Sequence, residues 1–153
     1  MKDKKHLEVS AIKNGTVIDH IPADSLFYVL SILKLEGVKT MMTFGTNLKS
    51  KKLGKKSIIK IADMFFEQDD INRIALVAPQ AKLNIIKNYT VVEKMIVEIP
   101  DSIVGIAKCF NPKCITNNEN VTTRFSVISK SELGLKCHYC EKITNREHLV
   151  ILK

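Results

Sequence analysis

The amino-acid sequence predicts an α+β protein built from two units of unequal size. Before residue 100, short apolar stretches typical of strands alternate with two stretches of helical periodicity, and turn signals separate several of them. All four cysteines lie after residue 108. We therefore predict one unit over residues 1–99 and a second over residues 100–153, with the boundary at Pro100-Asp101-Ser102.

The first unit begins with a predicted β-hairpin and a helix. Apolar and polar residues alternate over 7–11, and Asn14-Gly15 supplies a turn before the apolar run 16–18. Pro22 then opens a predicted helix, whose apolar residues recur every three or four positions and which Gly37 ends.

Two further strands follow this helix, with a lysine-rich segment between them. Residues 39–44 and 57–61 have the apolar, β-branched composition of strands. The intervening residues 47–56 are polar and contain five lysines and a glycine, so we predict an exposed and mobile loop there.

The first unit ends with a short helix and a second hairpin. The helix is predicted to start at a cap formed by Asp69 or Asp70 and to end at Ala78, before a proline. Residues 82–87 and 91–99 form two strands joined by a two-residue turn. This order of elements predicts an antiparallel sheet with two helices on one face, similar to ferredoxin-like folds.

The cysteine spacing defines the second unit. Two closely spaced pairs of thiols are separated by a longer segment, as Cys109-x4-Cys114-x22-Cys137-x2-Cys140. This spacing is typical of four thiolates closing on one structural Zn²⁺ ion. About fifty residues seldom bury enough apolar surface to fold alone, so the metal supplies the missing stability. We predict a small zinc-bound, rubredoxin-like β domain with strands at 125–128 and 149–152.

No catalytic site can be assembled from the sequence. Four protein ligands leave no open position on the zinc for an activated water, so the site is predicted to be structural. His148 is the one nitrogen donor that could replace a thiolate, and a redox role for Cys137 and Cys140 is disfavoured because no βαβ pattern surrounds them. Neither a Ser-His-Asp order nor a pair of catalytic carboxylates is evident. We therefore predict that the chain is not an enzyme.

The charge of the chain points to an anionic partner. Lys and Arg number 24 against 16 Asp and Glu, which gives a net charge of +8 at pH 7. Such a surface favours nucleotides, nucleic acid or an acidic protein. No stretch approaches the roughly 18 apolar residues of a membrane span, and no apolar region follows the N-terminal lysines. A reducing cytoplasm, in which cysteines serve as metal ligands, is the expected location.

Several segments taken together resemble the regulatory chain of aspartate carbamoyltransferase. They are residues 17–22 (VIDHIP), 54–61, 78–81 and 88–92, together with the cysteine spacing, and the resemblance extends over about residues 7 to 152. It implies a non-catalytic subunit in pyrimidine biosynthesis. The N-terminal domain would bind the effectors CTP, ATP and UTP, and the zinc domain would contact the catalytic chain. Homodimers of regulatory chains would bridge two catalytic trimers.

The same resemblance implies a nucleotide site, whose residues fall into three groups. The group around the base and ribose comprises Val9, Ala11, Ile12, Asp19 and Lys60. The group facing the triphosphate comprises His20, Lys56 and Lys94. The remaining wall comprises Asn84, Ile86, Tyr89 and Val91. Lysines suit phosphate as point charges, and strand backbone can bind a base edge.

A zinc-ribbon nucleic-acid-binding protein is the main alternative from another class of function. The net charge and the cysteine pairs favour it. Against it, basic residues are not concentrated around the cysteines, and the aromatic residues there are limited to Phe110, Phe125 and Tyr139. A mobility shift with nucleic acid that weakens steeply with salt would support this alternative.

Overall fold

The computed structural model describes residues 11–152, and within them the chain forms two antiparallel sheets. The first sheet has five strands in the order β2-β3-β1-β4-β5. Their bounds are β1 Gly15–Pro22, β2 Met42–Ser50, β3 Gly54–Ala62, β4 Lys82–Lys87 and β5 Thr90–Ile96. Helix α1 (Leu26–Ile32) follows β1, and helix α2 (Gln68–Val77) follows β3. This β-α-β-β-α-β order confirms the predicted ferredoxin-like arrangement, with β5 added at one edge.

The second sheet is small and contains the cysteine-rich segment. Its strands lie in the order β6-β7-β8-β9. The bounds are β6 Ser102–Val104, β7 Arg124–Ser129, β8 Gly134–Cys137 and β9 Ile143–Asn145, with a single helical turn, α3, at Ile115–Asn118. The strand predicted at 125–128 is confirmed within β7. The strand predicted at 149–152 is wrong, because this segment forms an isolated bridge between Ala107 and Ile151.

The core of the first unit lies between one face of the five-stranded sheet and the two helices. Ile18 of β1 stands opposite Ile59 of β3 and Leu83 of β4, and all three side chains are fully buried. Leu26 and Ile74 bury the facing sides of α1 and α2. Each such side chain stabilises the fold by about 1.5–3 kcal/mol. Because side chains alternate along a strand, the residues flanking Ile18 in β1 point to the opposite face of the sheet.

The first helix is shorter than the sequence predicted. Pro22 still belongs to β1, and one turn of 3-10 helix separates it from the start of α1 at Leu26. α1 ends before Gly37 because Lys34 adopts a left-handed conformation with φ of +58°. None of the helices within residues 11–152 is long and apolar enough to cross a membrane.

The lysine-rich segment is a β-hairpin, so the mobile loop predicted for 47–56 is wrong. β2 and β3 stay paired as far as Ser50 and Gly54, which leaves a turn of residues 51–53. The Leu53 amide donates a hydrogen bond to the Ser50 hydroxyl at 3.1 Å, and Gly54 supplies a φ of +78°. An exposed hairpin with polar side chains has the composition of a loop, and that similarity misled the prediction.

The second helix and the second hairpin agree with the sequence in position. α2 follows Glu67, whose amide donates to the Asp70 carboxylate at 3.2 Å, so the cap lies slightly earlier than predicted. Ala78 ends the helix as expected. Asn88 and Tyr89 both have positive φ, which is the conformation of a two-residue type I′ turn between β4 and β5.

One hydrogen bond joins the second unit to the end of α2. The Arg146 guanidinium donates through Nη1 to the carbonyl oxygen of Leu76 at 2.9 Å. Leu76 lies in the last turn of α2, where carbonyl groups lack partners within the helix and the helix dipole favours a cation.

Candidate functional site

The four cysteine side chains meet at one point of the second unit. All four Sγ atoms lie within 4.8 Å of one another, and the described cysteines form no disulfide. The Cys109 and Cys140 sulfurs are 3.6 Å apart, and those of Cys114 and Cys137 are 3.7 Å apart. A tetrahedral ion with metal–sulfur bonds of about 2.3 Å requires sulfur atoms about 3.8 Å apart. The donor set therefore fits one tetrahedral metal ion.

Local hydrogen bonds hold the two pairs of thiols in place. The Asn117 amide group donates to the carbonyl oxygens of Cys109 and Asn111, at 2.9 and 2.7 Å, and so fixes the loop that carries the first pair. The Thr116 hydroxyl donates to the Cys114 sulfur at 3.2 Å. Outer contacts of this kind orient metal ligands and tune their basicity.

The pKa values of the clustered thiols indicate that a bound cation would stabilise their ionised form. Burial raises the pKa of Cys109 and of Cys137 above the usual range. Burial also acts to raise the pKa of Cys140, but hydrogen bonds from the Lys142 backbone, the Asn111 side chain and neighbouring thiols lower it to about 7. Thiolates this close repel one another strongly, and a bound dication removes that repulsion.

The ligand cluster found among residues 11–152 consists of the four cysteines alone. The imidazole ring of His148, the nitrogen donor considered from the sequence, stacks on Phe110 with ring centroids 4.5 Å apart. Four sulfur ligands complete a tetrahedral shell and leave no position for an activated water.

A row of polar side chains crosses the open face of the first sheet. Val17 of β1 stands opposite Lys60 of β3 on one side and Asn84 of β4 on the other, and Asn84 in turn stands opposite Lys94 of β5. Residues paired in this way lie on the same face of an antiparallel sheet. This face is opposite to that of Ile18, which packs against the helices, so the row is open to a ligand.

A bulge in β1 places an acid and an imidazole beside this row, two and three residues beyond Val17. The pairing of β1 with β3 shifts between Ile18 and Ile21, and His20 has a left-handed φ of +59°. The Asp19 carboxylate forms an ion pair with the Lys56 ammonium group, with 2.9 Å between Oδ1 and Nζ. The His20 Nδ1 atom is buried and has no hydrogen-bond partner. The Asp19 Oδ2 atom lies 3.7 Å from this nitrogen, so the carboxylate and the imidazole face each other at the bulge.

A cleft of about 680 Å³ opens at the bulge. Its polar wall consists of His20, Lys52, Gln80, Lys82, Asn84 and Lys94. Its apolar wall consists of Pro79, Ala81, Leu83, Met95, Ile96 and Val97. Cationic groups beside an apolar wall suit a ligand that combines a flat apolar ring with several negative charges.

The electrostatics of the cleft are dominated by positive charge. Burial lowers the pKa of His20 below its usual value; Asp19 opposes this shift, and Lys56, Lys82 and Lys52 add to it. Burial likewise lowers the pKa of Lys60, again opposed by Asp19. An anion bound beside His20 would offset the unfavourable effect of the neighbouring lysines on the charged imidazole.

Six residues that the resemblance assigned to the nucleotide site lie on or beside the open face: Asp19, His20, Lys56, Lys60, Asn84 and Lys94. Ile86 and Val91 stand opposite each other near the turn of the β4–β5 hairpin, farther along the strands than the cleft. Tyr89 lies in the turn and is 68% exposed. Ala11 is exposed and Ile12 is buried, whereas Val9 lies outside the described residues.

Two lysines of the cleft, Lys52 and Lys82, were not among the predicted site residues. Lys82 is two residues before Asn84 in β4, so the alternation of the strand could have placed it on the same face. Lys52 lies in the turn of the β2–β3 hairpin, and no periodicity in the sequence points to its position.

The two units together define a class of protein. A ferredoxin-like unit carries a cationic cleft, a smaller unit carries a closed metal site, and no catalytic constellation appears in the part of the chain that the structure describes. This combination is that of a ligand-binding protein whose second unit binds a metal ion.

Comparison with known proteins identifies the family. Residues 7–98 match the model of the aspartate carbamoyltransferase regulatory chain, allosteric domain, and residues 101–150 match its metal binding domain. The chain is 58% identical over 151 residues to the aspartate carbamoyltransferase regulatory chain of Bacteroides fragilis, with 99% of each chain covered. It is 54% identical over 147 residues to that of Thermococcus sibiricus, with 96% of this chain and 97% of the relative covered. The chain therefore belongs to the family of aspartate carbamoyltransferase regulatory chains.

Membership of this family confirms the resemblance found in the sequence. The chain is a regulatory chain with an allosteric domain and a metal-binding domain, and it is not itself an enzyme. The alternative of a zinc-ribbon nucleic-acid-binding protein is not favoured.

Proposed function

We propose that this chain binds CTP, ATP and UTP and transmits their effect to the catalytic chains of aspartate carbamoyltransferase in the cytoplasm. The nucleotide-binding allosteric domain spans residues 1–99, and the zinc domain, which contacts the catalytic chain, spans residues 100–153. Regulatory chains pair as homodimers. The family membership and the cationic cleft support this assignment.

The observation that carries the nucleotide proposal is the polar row together with the His20 bulge beside it. Lys60 offers hydrogen bonds to the base and ribose, Asp19 can accept hydrogen bonds from ribose hydroxyls, and Asn84 lines the rest of the pocket. His20, Lys56 and Lys94 supply cationic or donor groups for the triphosphate. The remaining proposed contacts come from Val9, Ala11, Ile12, Ile86, Tyr89 and Val91.

We further propose that the metal is Zn²⁺, held by Cys109, Cys114, Cys137 and Cys140. Soft thiolates in tetrahedral geometry select zinc over hard cations such as Mg²⁺ or Ca²⁺. The sulfur–sulfur distances of 3.6 and 3.7 Å support this choice. The ion would fold the second domain, which then provides the contact surface for the catalytic chain.

Regulation would arise because each effector has different affinities for two states of the assembly. A coupling free energy of about 1–3 kcal/mol is usual and changes affinity by roughly 5–150-fold. Within the chain, α2 packs against the sheet that carries the cleft, and Arg146 of the zinc domain binds the last turn of α2. This contact gives effector binding a physical route to the second domain.

Substitution of Lys60 or Lys94 by alanine tests the nucleotide site. Because hydrogen bonds to charged groups contribute about 1.5–3 kcal/mol, each variant is expected to weaken CTP and ATP binding by at least about tenfold. Calorimetric titration of the intact chain measures this change. Lys39→Ala, which alters an exposed lysine away from the cleft, serves as the control. Unchanged affinities in Lys60→Ala and Lys94→Ala would place the pocket elsewhere.

The regulatory role itself is tested by reconstitution with a catalytic chain. The two chains should co-purify, and carbamoyltransferase activity should change when CTP, ATP or UTP is added. A complex whose activity is indifferent to all three nucleotides would contradict the proposed role.

A further inference from the structure

The cleft has more positive charge than the proposed nucleotide residues account for. Lys52 and Lys82 line it together with His20 and Lys94, and no acidic residue lines it in the described part of the chain. Asp19, the carboxylate beside His20, is already paired with Lys56 at 2.9 Å. The charge of Lys52 and Lys82 is therefore left for a ligand with several negative charges.

The hairpin gives Lys52 a defined position. The Ser50–Gly54 pairing and the hydrogen bond from the Leu53 amide to the Ser50 hydroxyl fix the turn on both sides of Lys52. Lys51, the preceding residue in the same turn, does not line the cleft. Adjacent lysines of one turn therefore differ in access to the ligand.

Lys82 approaches the same point from the opposite side of His20. It stands opposite Asp19 in the pairing of β1 with β4 and opposite Ile96 in the pairing of β4 with β5. Both Lys82 and Lys52 lie near enough to His20 to act on its charge. The two lysines therefore approach one imidazole from two different elements, the β2–β3 turn and strand β4.

We propose that Lys52 and Lys82 complete the phosphate-binding end of the cleft and make it select nucleoside triphosphates over monophosphates. A single phosphate can be held by His20 and Lys94, whereas a longer phosphate chain reaches the lysines on both sides. Lysine suits this task because its compact ammonium group attracts phosphate from several directions. This inference rests on the proposed nucleotide site and goes beyond it by assigning the selectivity to two residues.

The test compares the affinities of the full chain for CTP and CMP, measured by calorimetry at fixed salt. Lys52→Ala and Lys82→Ala are each expected to weaken CTP binding about tenfold, as expected for loss of one charge-assisted contact, with little effect on CMP. Lys51→Ala, the matched control from the same turn, should leave both affinities unchanged. Lys52→Arg and Lys82→Arg should each retain most of the selectivity.

The outcomes separate this inference from the proposed function. If the unaltered chain binds neither nucleotide, the proposed function fails. If it binds CTP but the alanine variants keep the same ratio of CTP to CMP affinity, the proposed function stands and the selectivity role is overturned. A similar loss in Lys51→Ala would also overturn it, because general positive charge would then explain the effect.

Discussion

Replacement of Cys114 by serine is expected to abolish metal binding and unfold the domain over residues 100–153. Structural zinc contributes about 10–16 kcal/mol to the folding of small metal-binding peptides, which exceeds the stability that a unit of this size has without it. Cys114 is buried, and its sulfur lies 3.7 Å from that of Cys137, so loss of one donor leaves three crowded thiols. Elemental analysis for zinc and circular dichroism of the variant measure the two effects.

A graded control comes from Thr116, whose hydroxyl donates to the Cys114 sulfur at 3.2 Å. Thr116→Val keeps all four sulfur donors and removes this outer contact, so zinc affinity should fall by about 10–100-fold while the domain stays folded at saturating zinc.

Removal of zinc from the wild-type chain should also release the catalytic chain, which a sizing column would detect. A complex that stays intact without zinc would contradict the proposed role of the metal.

Replacement of Gly15 by alanine is expected to destabilise the first domain by at least about 3 kcal/mol. Gly15 has a φ of +142°, and a Cβ atom there would lie 2.0 Å from the carbonyl oxygen of Ile61. The obstacle is backbone, so it cannot move aside as a flexible side chain could. β1 would have to separate from β3 at this end, and β1 is the central strand of the sheet. Chemical denaturation followed by circular dichroism measures the loss.

Gly37→Ala is the matched control for this substitution. A Cβ atom at Gly37 would meet nothing within 4 Å, and its φ is not in the left-handed range. The two variants add the same methyl group, so their difference isolates the backbone and steric requirement at Gly15. Equal stability of the two variants would show that β1 and β3 can separate there at little cost.

The sequence contained enough information to predict the metal cluster and most of the first sheet. The spacing of Cys109, Cys114, Cys137 and Cys140 predicts a ligand set because two close pairs of thiols separated by a longer segment are typical of a tetrahedral metal site. The second hairpin was also predictable, since Asn88 readily adopts a positive φ and strands of alternating pattern flank the turn.

Other features depend on tertiary structure and could not be predicted in the same way. The left-handed Lys34 ends α1 although lysine has no local preference for that conformation. The segment around Lys52 has the composition of a loop, yet pairing with β3 makes it a strand connection. Lys52 lines the cleft together with His20 and Lys82, which belong to other strands, and no pattern along one strand encodes such a meeting.

The bulge in β1 also predicts which positions of the strand should affect protein abundance and which should affect effector response in saturation mutagenesis. Where the strand is regular, Ile18 faces the core and Val17 the open side, so substitutions at 18 should reduce protein abundance and those at 17 should alter effector response. The irregular pairing after Ile18 lets Asp19 and His20, although consecutive, serve the same surface. Response-altering substitutions should therefore occur side by side at 19 and 20, and deleting one residue there would restore strict alternation and leave a single residue, instead of two, on the open face between Ile18 and Ile21.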